Sequence, residues 1–158
     1  MPNKSITPDI KPIVERLNAY ISSPAFAKKM KDAWGKAKAL YAKNKISHAT
    51  IEIDLPAGNP PEVASCRLSI LQPKTKSHVE RHANSAQYIY AIEGVGVTGV
   101  EMGGRWRVDT YGGKSKSLED RWHATPAGTW HYSLAPEAGE WVIMAFHTAK
   151  KVSDERRD

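Results

Sequence analysis

One cysteine, Cys66, stands in 158 residues, so no disulfide can form within the chain. A lone thiol of this kind reads as a small buried apolar residue rather than a nucleophile. The opening residues MPNKSITPDIKP contain no apolar run of signal-peptide length, and no stretch nears the roughly 20 apolar residues of a membrane helix. The expected setting is therefore reducing and cytoplasmic, with no membrane span. Arginine is missing between Lys28 and Lys45, where seven lysines accompany a single acid, Asp32. That excess of six equals the net charge of +6 for the whole chain, so the remainder is close to neutral. The protein has one basic helix rather than a basic body. Without arginine or a recognition motif beside those lysines, nucleic acid is not an expected partner. No internal repeat of useful length occurs, and the length suits one domain with its own core.

What is present divides into two patterns. Ile10, Ile13, Val14, Leu17 and Ile21 recur at helical spacing, with Asp9 placed to cap and Pro12 in the first turn. A second helix begins at Ser23 as cap and Pro24 as first residue. Its apolar stripe is Phe26, Met30, Ala33, Trp34, Ala37, Leu40 and Tyr41, with the lysines opposite, as expected of a helix lying on a domain. From Ile46 the period changes to alternation. ATIEIDL, ASCRLSIL, AQYIYAI, GVGVTGV, RWRVDT and EWVIMAF read as short strands separated by Gly- and Pro-bearing turns. The pattern predicts a helical arm over residues 1–45, an all-β barrel or sandwich over 46–150, and a polar tail over 151–158.

Six histidines are available: His48, His78, His82, His123, His131 and His147. Alternate strand residues share a face, so His78, Glu80 and His82 point the same way. Neighbours two apart lie about 6.6 Å from each other and those four apart about 13 Å. Glu80 can thus share an ion with His82 or with His78, but the two histidines cannot join without a bulge. A second stretch, ATPAGTWHYS, makes a turn at Pro126 and Gly128 that can aim His131 inward.

Together these two stretches resemble the paired motifs of the cupin superfamily, G-x5-H-x-H-x3–4-E-x6-G and G-x5-P-x-G-x2-H-x3-N. Glu80 falls at the first motif histidine, His82 at the second, Gln87 at the glutamate and Gly94 at the closing glycine. Pro126, Gly128 and His131 match the heart of the second motif. Lys74, Asp120 and Ala135 replace the first motif's leading glycine, the second's opening glycine and its closing asparagine. The likeness covers roughly residues 60 to 147 and leaves out the helical arm. It implies a double-stranded β-helix, the cupin jelly-roll barrel, preceded here by that arm.

The resemblance also implies a divalent transition metal held by Glu80, His82 and His131, with Gln87 as a weak ligand or hydrogen-bond donor. His78 would serve as a replacement ligand or a support. Two imidazoles and a carboxylate are the facial set of iron(II) oxygenases, which favours Fe(II) while also suiting Zn, Mn or Ni. In pattern the chain looks most like the gentisate-type ring-cleaving dioxygenases. The expected function is a metal-dependent oxygenase acting on a small organic acid or phenol. The alternatives are a metal-free small-ligand binder or sensor, and a cupin isomerase or lyase. Arg67, Arg81 or Arg121 could hold a substrate carboxylate, and His123 could act as general acid or base. His48 and His147, with no partner in sequence, read as structural. The family likeness further implies a homodimer, with Tyr88 and Tyr90 either at that contact or under the helical arm.

Overall fold

The computed structural model describes residues 11–44, 47–113 and 117–157. Asp9, Ile10 and Ile46, assigned above as cap, first stripe residue and start of alternation, lie outside them. Two helices come first, α1 (Lys11–Ile21) and α2 (Pro24–Asn44). Pro12 occupies the first turn of α1, where its missing N–H leaves no gap. The Phe26 N–H donates to Ser23 Oγ at 3.3 Å, and the Ala27 N–H to the Ser23 carbonyl at 2.9 Å, so Ser23 caps α2 as its sequence position suggests. The described lysines of α2 face water, as does Leu40, the one member of the expected stripe that is exposed.

Ten strands follow: β1 (His48–Ile53), β2 (Ser65–Leu71), β3 (Val79–His82), β4 (Gln87–Glu93), β5 (Val95–Met102), β6 (Arg105–Gly112), β7 (Trp122–Thr125), β8 (His131–Leu134), β9 (Trp141–His147) and β10 (Asp154–Arg157). A single helical turn, α3 (Leu118–Arg121), precedes β7. The strands form two antiparallel five-stranded sheets, ordered β1-β2-β9-β4-β7 and β10-β3-β8-β5-β6. This is a jelly roll with N-terminal helices. Among the described residues no helix is long and apolar enough to cross a membrane.

The first sheet is covered on both faces. Outward, Cys66, Leu68, Ile70, Met144 and Phe146 pack with Phe26, Leu17 and the rest of the arm in one buried cluster. Inward, Leu71, Ile89, Ala91 and Ile143 join Tyr111 and Trp141 inside the barrel. Burial on both sides explains why WVIMAFH in β9 is a near-continuous apolar run. Tyr88 and Tyr90 are half-buried and pack against the arm-side cluster. Cys66 is fully buried there, and burial pushes its thiol pKa up. Residues 154–157, expected to belong to a polar tail, form β10, hydrogen-bonded along the edge of β3. Its side chains are Asp, Glu, Arg and Arg, so no apolar alternation marks it as a strand.

Candidate metal centre

Strand pairing gathers the chemistry. β3 lies between β10 and β8, with Glu80 directly opposite His131 and His82 opposite Asp154. The Pro126 turn is fastened to the same strand, because the Gly128 N–H donates to the His82 carbonyl at 2.9 Å. Gly128 has φ +72°, a conformation that favours glycine, and the turn delivers His131 into the barrel.

Glu80 Oε1 lies 4.0 Å from His82 Nε2 and 3.8 Å from His131 Nε2. One potential ligand atom from each of the three residues falls within 4.8 Å of the others. Donors held about 2.0–2.2 Å from one ion sit about 3–3.5 Å apart, so a small inward adjustment would seat a metal. The donor roles fit as well. His131 Nδ1–H donates to the Thr129 carbonyl at 2.9 Å, which turns the lone pair of Nε2 toward Glu80. That Nε2 is buried and has no hydrogen-bond partner among the described residues. Such an orphaned acceptor is costly unless something binds it.

Electrostatics point the same way. Burial, then the charge of His131, lowers the His82 pKa, and burial lowers that of His131. Both imidazoles are thereby held neutral, the form that ligates metals. Burial raises the Glu80 carboxyl above the usual carboxylate range, against the attraction of His82. A cation between the three would reverse that penalty.

The three residues line a cavity of about 240 Å³ opening between the sheets. Gln87 lines it too, buried and paired in register with His147. His147, which has no partner in sequence, does have one in the fold: its ring meets that of His82 edge-on, centroids 4.8 Å apart. Burial, then the charge of His82, lowers its pKa to about 3. His48 reaches the cavity wall as well, its Nε2 3.2 Å from Thr50 Oγ1. Asp154 and Arg156 enter from β10 and were not anticipated. Only their spacing of two in DERR could have hinted at a shared face.

The remaining expected residues stand elsewhere. His78 is exposed before β3 begins and does not line the cavity. His123 is buried in the barrel but outside the cavity lining. Its Nε2 is 3.0 Å from Asp109 Oδ2 and its ring stacks on Tyr111 at 5.2 Å. Arg121 lies over Tyr90, 4.7 Å from the ring centroid, away from the cavity. Arg81 turns to the outer face of β3, where it pairs with Glu155 and covers Trp130. Arg67 does line the cavity, but its guanidinium is engaged by both oxygens of Asp154, at 3.1 and 3.2 Å.

No family model and no curated protein matches the sequence. Solved structures do. Peruvianin-I, a cysteine peptidase of Thevetia peruviana latex, is 13% identical with a TM-score of 0.58, over 70% of this chain and 67% of its own. An oxalate oxidase in complex with the substrate analogue glycolate is 14% identical with a TM-score of 0.58, over 70% of this chain and 55% of its own. A cupin-2 domain from Rhodospirillum rubrum is 17% identical with a TM-score of 0.54, over 71% of this chain and 66% of its own. This chain thus spans about half the length of the oxalate oxidase. At these identities the likeness shows the fold: the chain has the cupin fold. It does not single out the gentisate-type enzymes.

Proposed function

We propose that this protein is a metal-dependent cupin enzyme, an oxygenase that acts on a small organic acid or phenol. Glu80, His82 and His131 would hold the metal, with iron(II) favoured over zinc, manganese or nickel. When bound, such an ion supplies open coordination positions at which a substrate and O₂ can meet. The observation that carries the reading is the buried Nε2 of His131, aimed at Glu80 and with no hydrogen-bond partner among the described residues. The oxalate oxidase with glycolate supports the choice of a small acid without fixing it.

The chain's other groups have definite tasks under this reading. Gln87 is neutral, buried and faces the cavity, where it can donate a hydrogen bond to a substrate oxygen. Arg156 lines the cavity mouth and makes no hydrogen bond or ion pair among the described residues. It replaces Arg67 and Arg121 as the cation for a substrate carboxylate, since Arg67 is spent on Asp154 and Arg121 lies outside. His123 is held by Asp109 outside the cavity lining, so no proton-transfer role is assigned to it in this reading. Peptidase chemistry through Cys66 finds no support, because that thiol is buried under the helical arm. A homodimer remains part of the proposal, checked by sedimentation of the purified protein.

The test is elemental analysis followed by oxygen uptake. Purified protein is expected to carry about one transition metal per chain, and His82→Ala and His131→Ala to lose it. Full retention in both variants would reject the assigned site. Protein reconstituted anaerobically with iron(II) is then expected to consume O₂ with some member of a panel of hydroxybenzoates and short hydroxy acids. Metal binding without any uptake would move the assignment to a cupin isomerase or lyase. Metal-free protein indifferent to chelator would move it to a binding protein.

A further inference from the structure

We propose that Asp154, carried on the last strand, positions His82 for metal binding, so that docking of β10 and filling of the metal centre are linked. This rests on the metal-centre reading above. β10 pairs with β3 so that Asp154 stands directly opposite His82. Directly opposed residues share a face of the sheet. Asp154 Oδ1 approaches to 2.8 Å of His82 Nδ1. That is the ring nitrogen remote from Nε2, which faces Glu80. The approach lies off the N–H axis, so it is a close contact between a carboxylate and a neutral imidazole and not a straight hydrogen bond.

The carboxylate is itself fixed from the opposite sheet. Arg67 on β2 grips both its oxygens at 3.1 and 3.2 Å and reaches Glu52 on β1 at 3.8 Å. Arg67, Asp154 and His82 therefore form a chain that spans the open side of the barrel, from one sheet to the other.

A ligating imidazole works only with its proton on the far nitrogen and its lone pair toward the metal. A carboxylate behind the ring fixes both the tautomer and the orientation. Asp154 is the group behind His82. The strand that carries it has no apolar side chain, and its other described ion pairs join Glu155 to Arg81 and Arg157 to Glu101. Ladder hydrogen bonds and charge hold β10, not a buried core. A metal that draws the His82 ring into place also fixes the face against which Asp154 rests. By reciprocity, whatever strengthens one event strengthens the other.

The test uses full-length protein and zinc(II) alone, titrated against a competing chelator. Asp154→Asn is expected to weaken zinc binding about 10- to 100-fold, the usual effect of removing such a partner. Asp154→Glu keeps the charge but displaces it, and is expected to fall between D154N and the wild type. It carries the test should D154N fail to fold. The comparison is Arg157→Gln, which loosens β10 through Glu101 without touching His82; it is expected to weaken zinc binding less than D154N and to leave the His82 tautomer unchanged. Two further readouts separate positioning from mere support. Imidazole ¹⁵N shifts should show His82 protonated at Nδ1 in the wild type and as a tautomer mixture in D154N. Zinc should slow amide exchange in β10 of the wild type but not of D154N. Wild-type affinity and an unchanged His82 tautomer in D154N would overturn the inference alone, as would an equal loss in R157Q. Failure of the wild type to bind zinc would overturn the metal-centre reading beneath it.

Discussion

Four buried imidazoles, His82, His123, His131 and His147, have pKa values lowered first of all by burial. An unfolded histidine titrates near 6.5. Below that value the unfolded chain binds protons that the folded one refuses, so stability falls as pH drops from about 6.5 toward the folded values. For His147, lowered to about 3, the loss by pH 5 is about 2 kcal/mol. Glu80 acts oppositely: its pKa is raised, so its contribution is present at low pH and lost as pH rises through the folded value. In metal-free protein the urea midpoint is expected to drop between pH 7 and pH 5, and less steeply in His147→Gln. Equal slopes in the two proteins would contradict the assignment to His147. At this scale His82 and His131 were legible in sequence because each sits at a fixed offset from a turn or strand signal. His147 and Asp154 were not, since nothing near them in the chain announces a neighbour brought by sheet register.

Elements were legible where one face is apolar. β1, β2, β4, β5, β6 and β9 announce themselves by alternation or by a continuous apolar run. β10 does not, because an edge strand of charged residues carries no hydrophobic period. The close packing between elements makes its own prediction. A Cβ placed on Gly96 of β5 would meet ring atoms of Trp141 at 2.3 to 2.6 Å. Trp141 is fully buried and has no room to retreat. Gly96→Ala is therefore expected to cost about 1–3 kcal/mol, read from thermal unfolding. An unchanged midpoint would mean that the contact between β5 and β9 is looser than described.

For the molecule as a whole, the arm and the metal centre occupy opposite faces of the first sheet. Phe26 is fully buried between Tyr20 and Phe146, with ring centroids 5.0 and 5.6 Å away. Phe26→Ala is expected to cost about 3–5 kcal/mol in unfolding experiments. Zinc affinity of the remaining folded protein should not change, because the cavity lies on the sheet's other side. A parallel loss of affinity would show that the arm shapes the site.

The central claim is that Glu80, His82 and His131, drawn from two separated stretches of chain, hold one ion inside the barrel. X-ray absorption at the metal edge of iron- or zinc-loaded protein tests it most directly. The expected shell contains two imidazoles and one carboxylate oxygen at about 2.0–2.2 Å. A shell of water and carboxylate oxygens without imidazole would contradict it.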